Sequence, residues 1–203
     1  MAKGITAVVL AAGKSQRMGQ LKQLLPFGDL TVIQTVLRSL EQAGIDDILV
    51  VLGHRADDIA AVLPPEVQVV RNAAYEEGMF SSVLAGLNAL EPDVEGMMLV
   101  LVDQPQVDPG AYAAVASAYL ATDKGIVIPR VSGKRGHPIV IDVARYGIEI
   151  RELDGSEGLK PLVRGKPYDT EWVDIADGSI LRDMDTPEDY ARELRLREEA
   201  EDG

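Results

Sequence analysis

Residues 5–10 are Ile5-Thr6-Ala7-Val8-Val9-Leu10, and Ala11-Ala12-Gly13 follows them directly. A short apolar run that ends in small residues is typical of a strand buried on both faces, which then breaks into a loop. The stretch therefore predicts the first strand of a parallel sheet. Because ligands of such sheets bind at the carboxyl ends of the strands, the loop after Leu10 is the first candidate site.

Outward from this stretch, apolar runs alternate with helical patterns. Strands are predicted at residues 5–10, 47–52, 67–70, 97–102, 125–128, 138–141 and 170–175, and helices at residues 31–43, 55–63, 81–90, 109–121, 156–163 and 186–199. Strands that alternate with helices indicate βαβ units with right-handed crossovers, and so a parallel sheet. The rhythm changes beyond residue 130, where residues 132–136 predict a turn within a hairpin-like insertion.

Length and composition exclude several classes of protein. A chain of 203 residues with 46% hydrophobic residues predicts one globular domain. The net charge of −13 argues against a nucleic-acid polymer or an anionic membrane as partner. The apolar runs are too short to cross a bilayer, and no signal-peptide pattern is present, so we expect a cytoplasmic protein. With no cysteine and two histidines, any metal is expected to have oxygen ligands.

The charge is unevenly distributed. Residues 1–28 contain Lys3, Lys14, Arg17 and Lys22 but no Asp or Glu, which favours binding of a small anion. A Walker A loop is excluded because position 8 is Val. The dinucleotide fingerprint also fails, since it needs three closely spaced glycines after the strand. What remains is a loop of small residues with three cations that can contact phosphates, Arg17 bidentately.

The motif from Leu10-Ala11-Ala12-Gly13 through Arg17-Met18-Gly19 to Lys22 and Leu24-Leu25-Pro26 resembles the opening of GT-A-like nucleotidyltransferases, in particular the molybdenum cofactor cytidylyltransferase family. The resemblance implies a three-layer α/β/α fold with a mostly parallel, Rossmann-like sheet and a small β insertion after residue 130. It also implies that the backbone of Leu10, Ala11, Ala12 and Gly13 surrounds the base and ribose, while Arg17 and Lys22 bind the triphosphate.

Two acidic motifs are candidates for a metal site. Asp103 follows the predicted strand at residues 97–102, and a carboxylate there either holds Mg²⁺ or caps the next helix. Asp103-Gln104-Pro105 resembles the family's metal-binding motif. Asp183-Met184-Asp185-Thr186-Pro187 resembles the motif that closes the family's catalytic domain and brings a second carboxylate. The resemblance thus implies Mg²⁺, or Mn²⁺, on Asp103 and on Asp185 rather than Asp183.

Three further motifs follow the family's order. Gly78, Ser81 and Ser82 begin a helix whose N-terminus favours a nucleotide contact or simple capping, and Asn72 precedes them as in the family. Phe80 stands where the family has Ser. The hairpin's Gly136-His137-Pro138 and the later Lys160 resemble acceptor-binding positions, although a lone His is more often structural and Lys160 replaces an Arg.

The resemblance implies transfer of CMP from CTP to the terminal phosphate of a molybdopterin-type cofactor, with release of pyrophosphate and a possible target molybdoenzyme downstream. Residues 1–128 would form the nucleotide-binding half and residues 129–190 the acceptor-binding half and closing motif. Ala12 favours CTP over GTP, since guanylyl relatives tend to have Gly there. The alternatives are a guanylyltransferase for the same cofactor, a cytidylyltransferase for another phosphorylated metabolite, and a non-catalytic cofactor-delivery chaperone. A GT-A glycosyltransferase would need a D-x-D motif, which Pro105 interrupts.

Overall fold

The first predicted strand is present as β1, Ile5–Leu10, in the computed structural model, which describes residues 4–201 apart from the side chain of residue 201. Lys3 lies outside the described residues. Alternate side chains of β1 enter two different apolar clusters: Ala7 and Val9 enter one, and Val8 and Leu10 enter the other. Because successive strand residues point to opposite faces, β1 is buried on both sides of its sheet, as its apolar run predicts.

Eight strands form the main sheet. They are β1 (Ile5–Leu10), β2 (Ile48–Leu52), β3 (Gln68–Arg71), β4 (Gly96–Leu101), β5 (Ile126–Val131), β6 (Lys134–Arg135), β7 (Ile139–Asp142) and β8 (Thr170–Asp174). The spatial order is β8-β5-β7-β4-β1-β2-β3, and β6 pairs with β5. Strand β7 runs antiparallel to both β4 and β5, whereas β1, β2, β3 and β4 are mutually parallel. The predicted, mostly parallel sheet is confirmed.

Seven α-helices accompany the sheet in the described residues. They are α1 (Val32–Gln42), α2 (Ala56–Ala60), α3 (Met79–Ala89), α4 (Pro109–Ala121), α5 (Val143–Glu152), α6 (Lys160–Gly165) and α7 (Pro187–Glu201). Side chains of α1 and α4 pack in one apolar cluster, and those of α3 and α5 in the other, so the three-layer arrangement is confirmed. In these described residues, no helix combines the length and apolarity that crossing a bilayer requires.

The helix boundaries differ from the pattern in three places. Helix α5 was not predicted; it begins at an aspartate cap, where the Asp142 carboxylate accepts a hydrogen bond from Arg145 N at 2.9 Å. Helix α6 starts four residues later than predicted, because Gly155 and Gly158 have positive φ and hold the preceding segment in turns. Helix α2 begins one residue later than predicted, since Arg55 also has a positive φ, and it ends at Ala60 instead of residue 63.

Candidate active site

One lysine joins two carboxylates that are far apart in the sequence. Lys22 Nζ lies 2.7 Å from Asp103 Oδ2 and 3.0 Å from Asp185 Oδ1, and Arg17 Nη2 lies 2.8 Å from Asp185 Oδ2. Asp103 comes two residues after β4, and Lys22 lies in the long loop after β1, so both are at the carboxyl ends of neighbouring parallel strands. The structure therefore brings the predicted cationic loop and the predicted acidic residues together at the sheet edge where ligands bind.

The other carboxylate of the closing motif points elsewhere. Asp183 Oδ1 accepts a hydrogen bond from Gln104 Nε2 at 2.8 Å. Burial raises the pKa of Asp183; the hydrogen bond from Gln104 opposes this rise, while the nearby carboxylates of Asp103 and Asp185 add to it. Asp185 is thus the residue that shares the Lys22 ammonium with Asp103, whereas Asp183 is held by the hydrogen bond from the Gln104 amide.

The segment after β4 forms hydrogen bonds with residues 179–184, which lead into the closing motif, and holds them in place. Met184 N donates to Asp103 O at 2.9 Å, and Gln106 Nε2 donates to Ser179 O at 3.0 Å and to Arg182 O at 2.6 Å. Helix α4 is capped by Asp108, whose carboxylate accepts from Gly110 N, so Asp103 does not act as its cap. These hydrogen bonds fix Asp185 beside Asp103, although the two residues are 82 positions apart in the sequence.

Gln23, which sequence reasoning missed, organises the cationic loop. This side chain is fully buried; its Nε2 donates to Ala11 O at 2.9 Å and to Gly13 O at 3.1 Å, and its Oε1 accepts from Ser15 Oγ at 3.3 Å. Ser15 itself has a φ of 52°, an uncommon conformation for a residue other than Gly. The local signal for a buried Gln23 was its position directly before the apolar Leu24 and Leu25.

We expect Gln23→Ala to destabilise the fold by about 1–3 kcal/mol and to weaken nucleotide binding, because it leaves two loop carbonyls without their donor. Urea denaturation measures the free energy of unfolding, and calorimetric titration with CTP measures binding. The matched control is Gln20→Ala, which removes an exposed amide from the same loop. Equal effects of the two substitutions would contradict the role of Gln23.

Two cavities meet at Lys22. The first has a volume of about 260 Å³, and we call it the nucleotide cavity after the role predicted for its residues. The second has a volume of about 390 Å³, and we call it the phosphate cavity for the same reason. The predicted residues in the first are Leu10, Ala12, Gly13, Lys22, Gly78, Ser82 and Asp103, and those in the second are Gly13, Arg17, Lys22 and Asp185. Tyr75, also missed, lines both cavities; it is the lone aromatic residue between Phe27 and Phe80 in the sequence, and Lys14 Nζ lies 5.7 Å from its ring centroid.

Three residues predicted to contact the nucleotide do not line either cavity. Ala11 is fully buried, and its N–H donates to Val51 O at 3.0 Å within the sheet. Asn72 lies below the surface, where its Nδ2 donates to Ser81 Oγ at 2.8 Å and to Ser82 Oγ at 3.0 Å. Ser81 Oγ in turn donates to Gly78 O at 2.8 Å. The polar groups of Asn72 and Ser81 therefore hold the start of α3 in position, and Ser82 is the serine that lines the nucleotide cavity.

A third, mainly apolar cavity of about 300 Å³ adjoins the nucleotide cavity. His137 and Lys160, the two predicted acceptor residues, line it together with Arg135 and Phe80. Phe80 packs against Gly155, where an added Cβ would lie 2.6 Å from the Phe80 ring, so the unusual Phe and the glycine turn form one wall. Burial lowers the pKa of His137 against an opposing effect of Asp103, which leaves the imidazole neutral at pH 7.

The fold and this arrangement of charges together define a nucleotide-binding transferase. Residues 7–171 match the family model described as the MobA-like NTP transferase domain. The chain therefore belongs to the MobA-like NTP transferase family and is a nucleotidyltransferase.

Individual relatives carry several different names. The chain is 31% identical to nicotine blue oxidoreductase of Paenarthrobacter nicotinovorans, over 94% of this chain and 96% of the relative. It is 28% identical to molybdenum cofactor cytidylyltransferase of Escherichia coli, over 92% and 93%. Among solved structures, Rv0371c of Mycobacterium tuberculosis is 33% identical and superposes with a TM-score of 0.84, over 96% of this chain and 100% of the other. A further structure of Rv0371c is a complex with manganese, at 31% identity and a TM-score of 0.79 over the same shares.

Proposed function

We propose that this nucleotidyltransferase transfers CMP from CTP to the terminal phosphate of a molybdopterin-type cofactor and releases pyrophosphate. The observation that carries the proposal is Lys22, whose ammonium contacts both Asp103 and Asp185 at the junction of the nucleotide and phosphate cavities. In this proposal residues 1–128 bind the nucleotide, and residues 129–190 supply the closing carboxylate and the polar side chains of the third cavity, which we call the acceptor cavity. A single domain of 203 residues then carries the whole reaction.

The two carboxylates fit a divalent cation. Asp103 and Asp185 already converge on one cationic group, the Lys22 ammonium, and both are hard oxygen donors. Among the described side chains, no group of three His, Asp or Glu residues is placed to hold a metal ion, but Mg²⁺ commonly uses one or two carboxylates together with waters and phosphates. Asp103 and Asp185 would thus hold Mg²⁺ or Mn²⁺. When bound, such an ion would neutralise the negative charge that develops on the phosphates.

The chain's own residues then act by position and charge. In the reaction, a P–O bond forms between an acceptor phosphate oxygen and the α-phosphorus of CTP. The bond from that phosphorus to the bridging oxygen breaks, and pyrophosphate leaves with the electron pair. The acceptor phosphate is anionic at neutral pH, so no general base is needed. Arg17 and Lys22, which line the phosphate cavity, hold the departing pyrophosphate in line and stabilise its charge.

The acceptor cavity supports an acceptor with a flat fused-ring system over a sugar or polyol phosphate. Phe80 and Leu159 contribute to a wall that is mainly apolar, and apolar surface binds the face of a ring better than a chain of hydroxyl groups. Arg135 and Lys160 also line this cavity and would hold the acceptor phosphate. His137, being neutral, is available as a hydrogen-bond donor or acceptor for a ring edge.

Discrimination between CTP and GTP is assigned to Ala12, which is 4% exposed and lines the nucleotide cavity. We expect Ala12→Gly to raise the ratio of GTP affinity to CTP affinity by about tenfold, because one methyl group at a base pocket decides about that much. Calorimetric titration with both nucleotides measures the ratio. Ala11→Gly is the matched control, since it removes a methyl group from inside the sheet. A ratio that changes equally in both variants would contradict this assignment.

The decisive experiment measures pyrophosphate release with each nucleotide, Mg²⁺ and a panel of phosphorylated acceptors. We expect release with CTP and a molybdopterin-type acceptor. Release with GTP would indicate guanylyl transfer, and release with sugar or polyol phosphates would indicate a different cytidylyl acceptor. Either result would replace the proposed substrate pair.

A further inference from the structure

We propose that a second cavity, separate from the active site, binds a small oxyanion such as a phosphorylated or carboxylated metabolite. This cavity, the α1–α7 cavity, lies between α1, α7 and the segment that follows β4, and has a volume of about 570 Å³. That volume is within the range of small-molecule sites. The cavity shares no lining residue with the nucleotide, phosphate or acceptor cavities, so the proposal does not rest on the proposed function.

Helix α1 presents hydrogen-bond donors to this cavity that the fold itself does not use. Arg38, Ser39 and Gln42 all line it, and their side chains have no hydrogen-bond or ion-pair partner among the described side chains of residues 4–200. Ser39 is only 8% exposed as a residue, whereas Arg38 and Gln42 are exposed to solvent. A guanidinium, a hydroxyl and an amide on adjacent turns of one helix form a donor set suited to an oxyanion.

The opposite wall adds positive charge. Arg182 and Arg197 line the cavity, and Arg197 Nη1 donates to Phe27 O at 3.1 Å. The two acidic residues in the lining are already engaged. Glu193 has a fully buried carboxylate that accepts from Arg182 at 3.1 Å and from Arg192 at 3.0 Å. The Asp108 carboxylate accepts from Gly110 N at 2.7 Å.

The lining therefore contains three arginines and two carboxylates, so its formal charge is +1 in a chain whose net charge is −13. Such a local excess of cations in an acidic protein attracts a small anion, while the acidic remainder of the surface repels a large polyanion. The apolar members of the lining, among them Phe27 and Leu196, provide room for the carbon skeleton of a metabolite. The charge and the size of the cavity both favour a small oxyanion.

The test is calorimetric titration with inorganic phosphate and, separately, with citrate, in a Lys22→Ala background that weakens anion binding at the active site. We expect at least one probe to bind, and Arg38→Ala to weaken that binding about tenfold, since hydrogen bonds to charged groups contribute about 1.5–3 kcal/mol. Ser39→Ala is a second variant, expected to weaken binding in the same direction. Binding of phosphate alone identifies a phosphorylated ligand, and binding of citrate alone a carboxylated one.

The matched control is Arg195→Ala, which removes one positive charge from an exposed position on α7 that does not line the cavity. We expect this variant to bind the probe as the background protein does. Equal affinity in the Arg38→Ala and Arg195→Ala variants would overturn the proposal, as would the absence of binding by both probes. Circular dichroism of each variant verifies that it is folded.

Discussion

Asp103→Asn is expected to lower the rate of nucleotidyl transfer by about 10²–10³-fold, the usual cost of removing one preorganised charge partner from an active site. The substitution keeps the shape of the side chain but removes the charge that Asp103 shares with Asp185 across Lys22. Steady-state pyrophosphate release at saturating CTP measures the loss. A raised requirement for Mg²⁺ in the same assay would link the loss to the metal site.

The control for this experiment is Asp183→Asn, in the same acidic cluster. An asparagine at position 183 still accepts the hydrogen bond that Gln104 Nε2 donates at 2.8 Å, so we expect only a small loss of rate. Asp185→Asn should behave like Asp103→Asn. If Asp183→Asn were the more damaging of the two closing-motif variants, the second carboxylate would have been assigned to the wrong residue.

Lys22→Ala is expected to reduce turnover to a similar degree and also to weaken CTP binding. Its ammonium lies where the nucleotide and phosphate cavities meet, and in the described part of the chain it is the only group that forms an ion pair with both Asp103 and Asp185. The fold should survive, because the side chains of Asp103 and Asp185 are 21% and 28% exposed, and water can solvate them once the lysine is gone. Turnover and calorimetric titration with CTP measure the two effects.

Lys14→Ala provides the matched control, since Lys14 belongs to the same loop but pairs with Glu76 at the rim of the phosphate cavity. Removal of this exposed pair should change turnover only slightly. Equal losses in the two variants would mean that the loop attracts phosphate by its overall charge and that Lys22 has no special position.

The strands that carry the site were predictable from local pattern, and the contacts between distant residues were not. Residues 5–10 are β1 and residues 109–121 are α4, because an apolar run and an aspartate-capped apolar helix are local signals. Helix α5 was missed because it directly follows β7, with Asp142 both ending the strand and capping the helix. The sequence contains no turn residues between these elements that would separate them.

Within the site, the charged residues could be identified from the sequence, but which of two similar neighbouring residues faces the cavity could not. Ala11 and Ala12 are the same residue type in the same motif, yet Ala11 is paired within the sheet and Ala12 lines the nucleotide cavity. Asp183 and Asp185 are likewise two residues apart and contact different partners. Which of two similar neighbours faces a cavity depends on the direction of the backbone, which distant hydrogen bonds set.

By itself, the sequence determined the alternation of strands and helices, the cationic loop after β1, and the acidic residues available to oppose it, since each depends on residues close together in the chain. Only the tertiary structure decided that Asp185 meets Lys22, that Gln23 supports the loop, and that Asn72 lies beneath the cavity. Lys22 and Asp185 are 163 residues apart. Their contact exists because parallel crossovers bring the carboxyl ends of β1 and β4 to one edge of the sheet, where the hydrogen bond from Met184 N to Asp103 O holds the segment that contains Asp185.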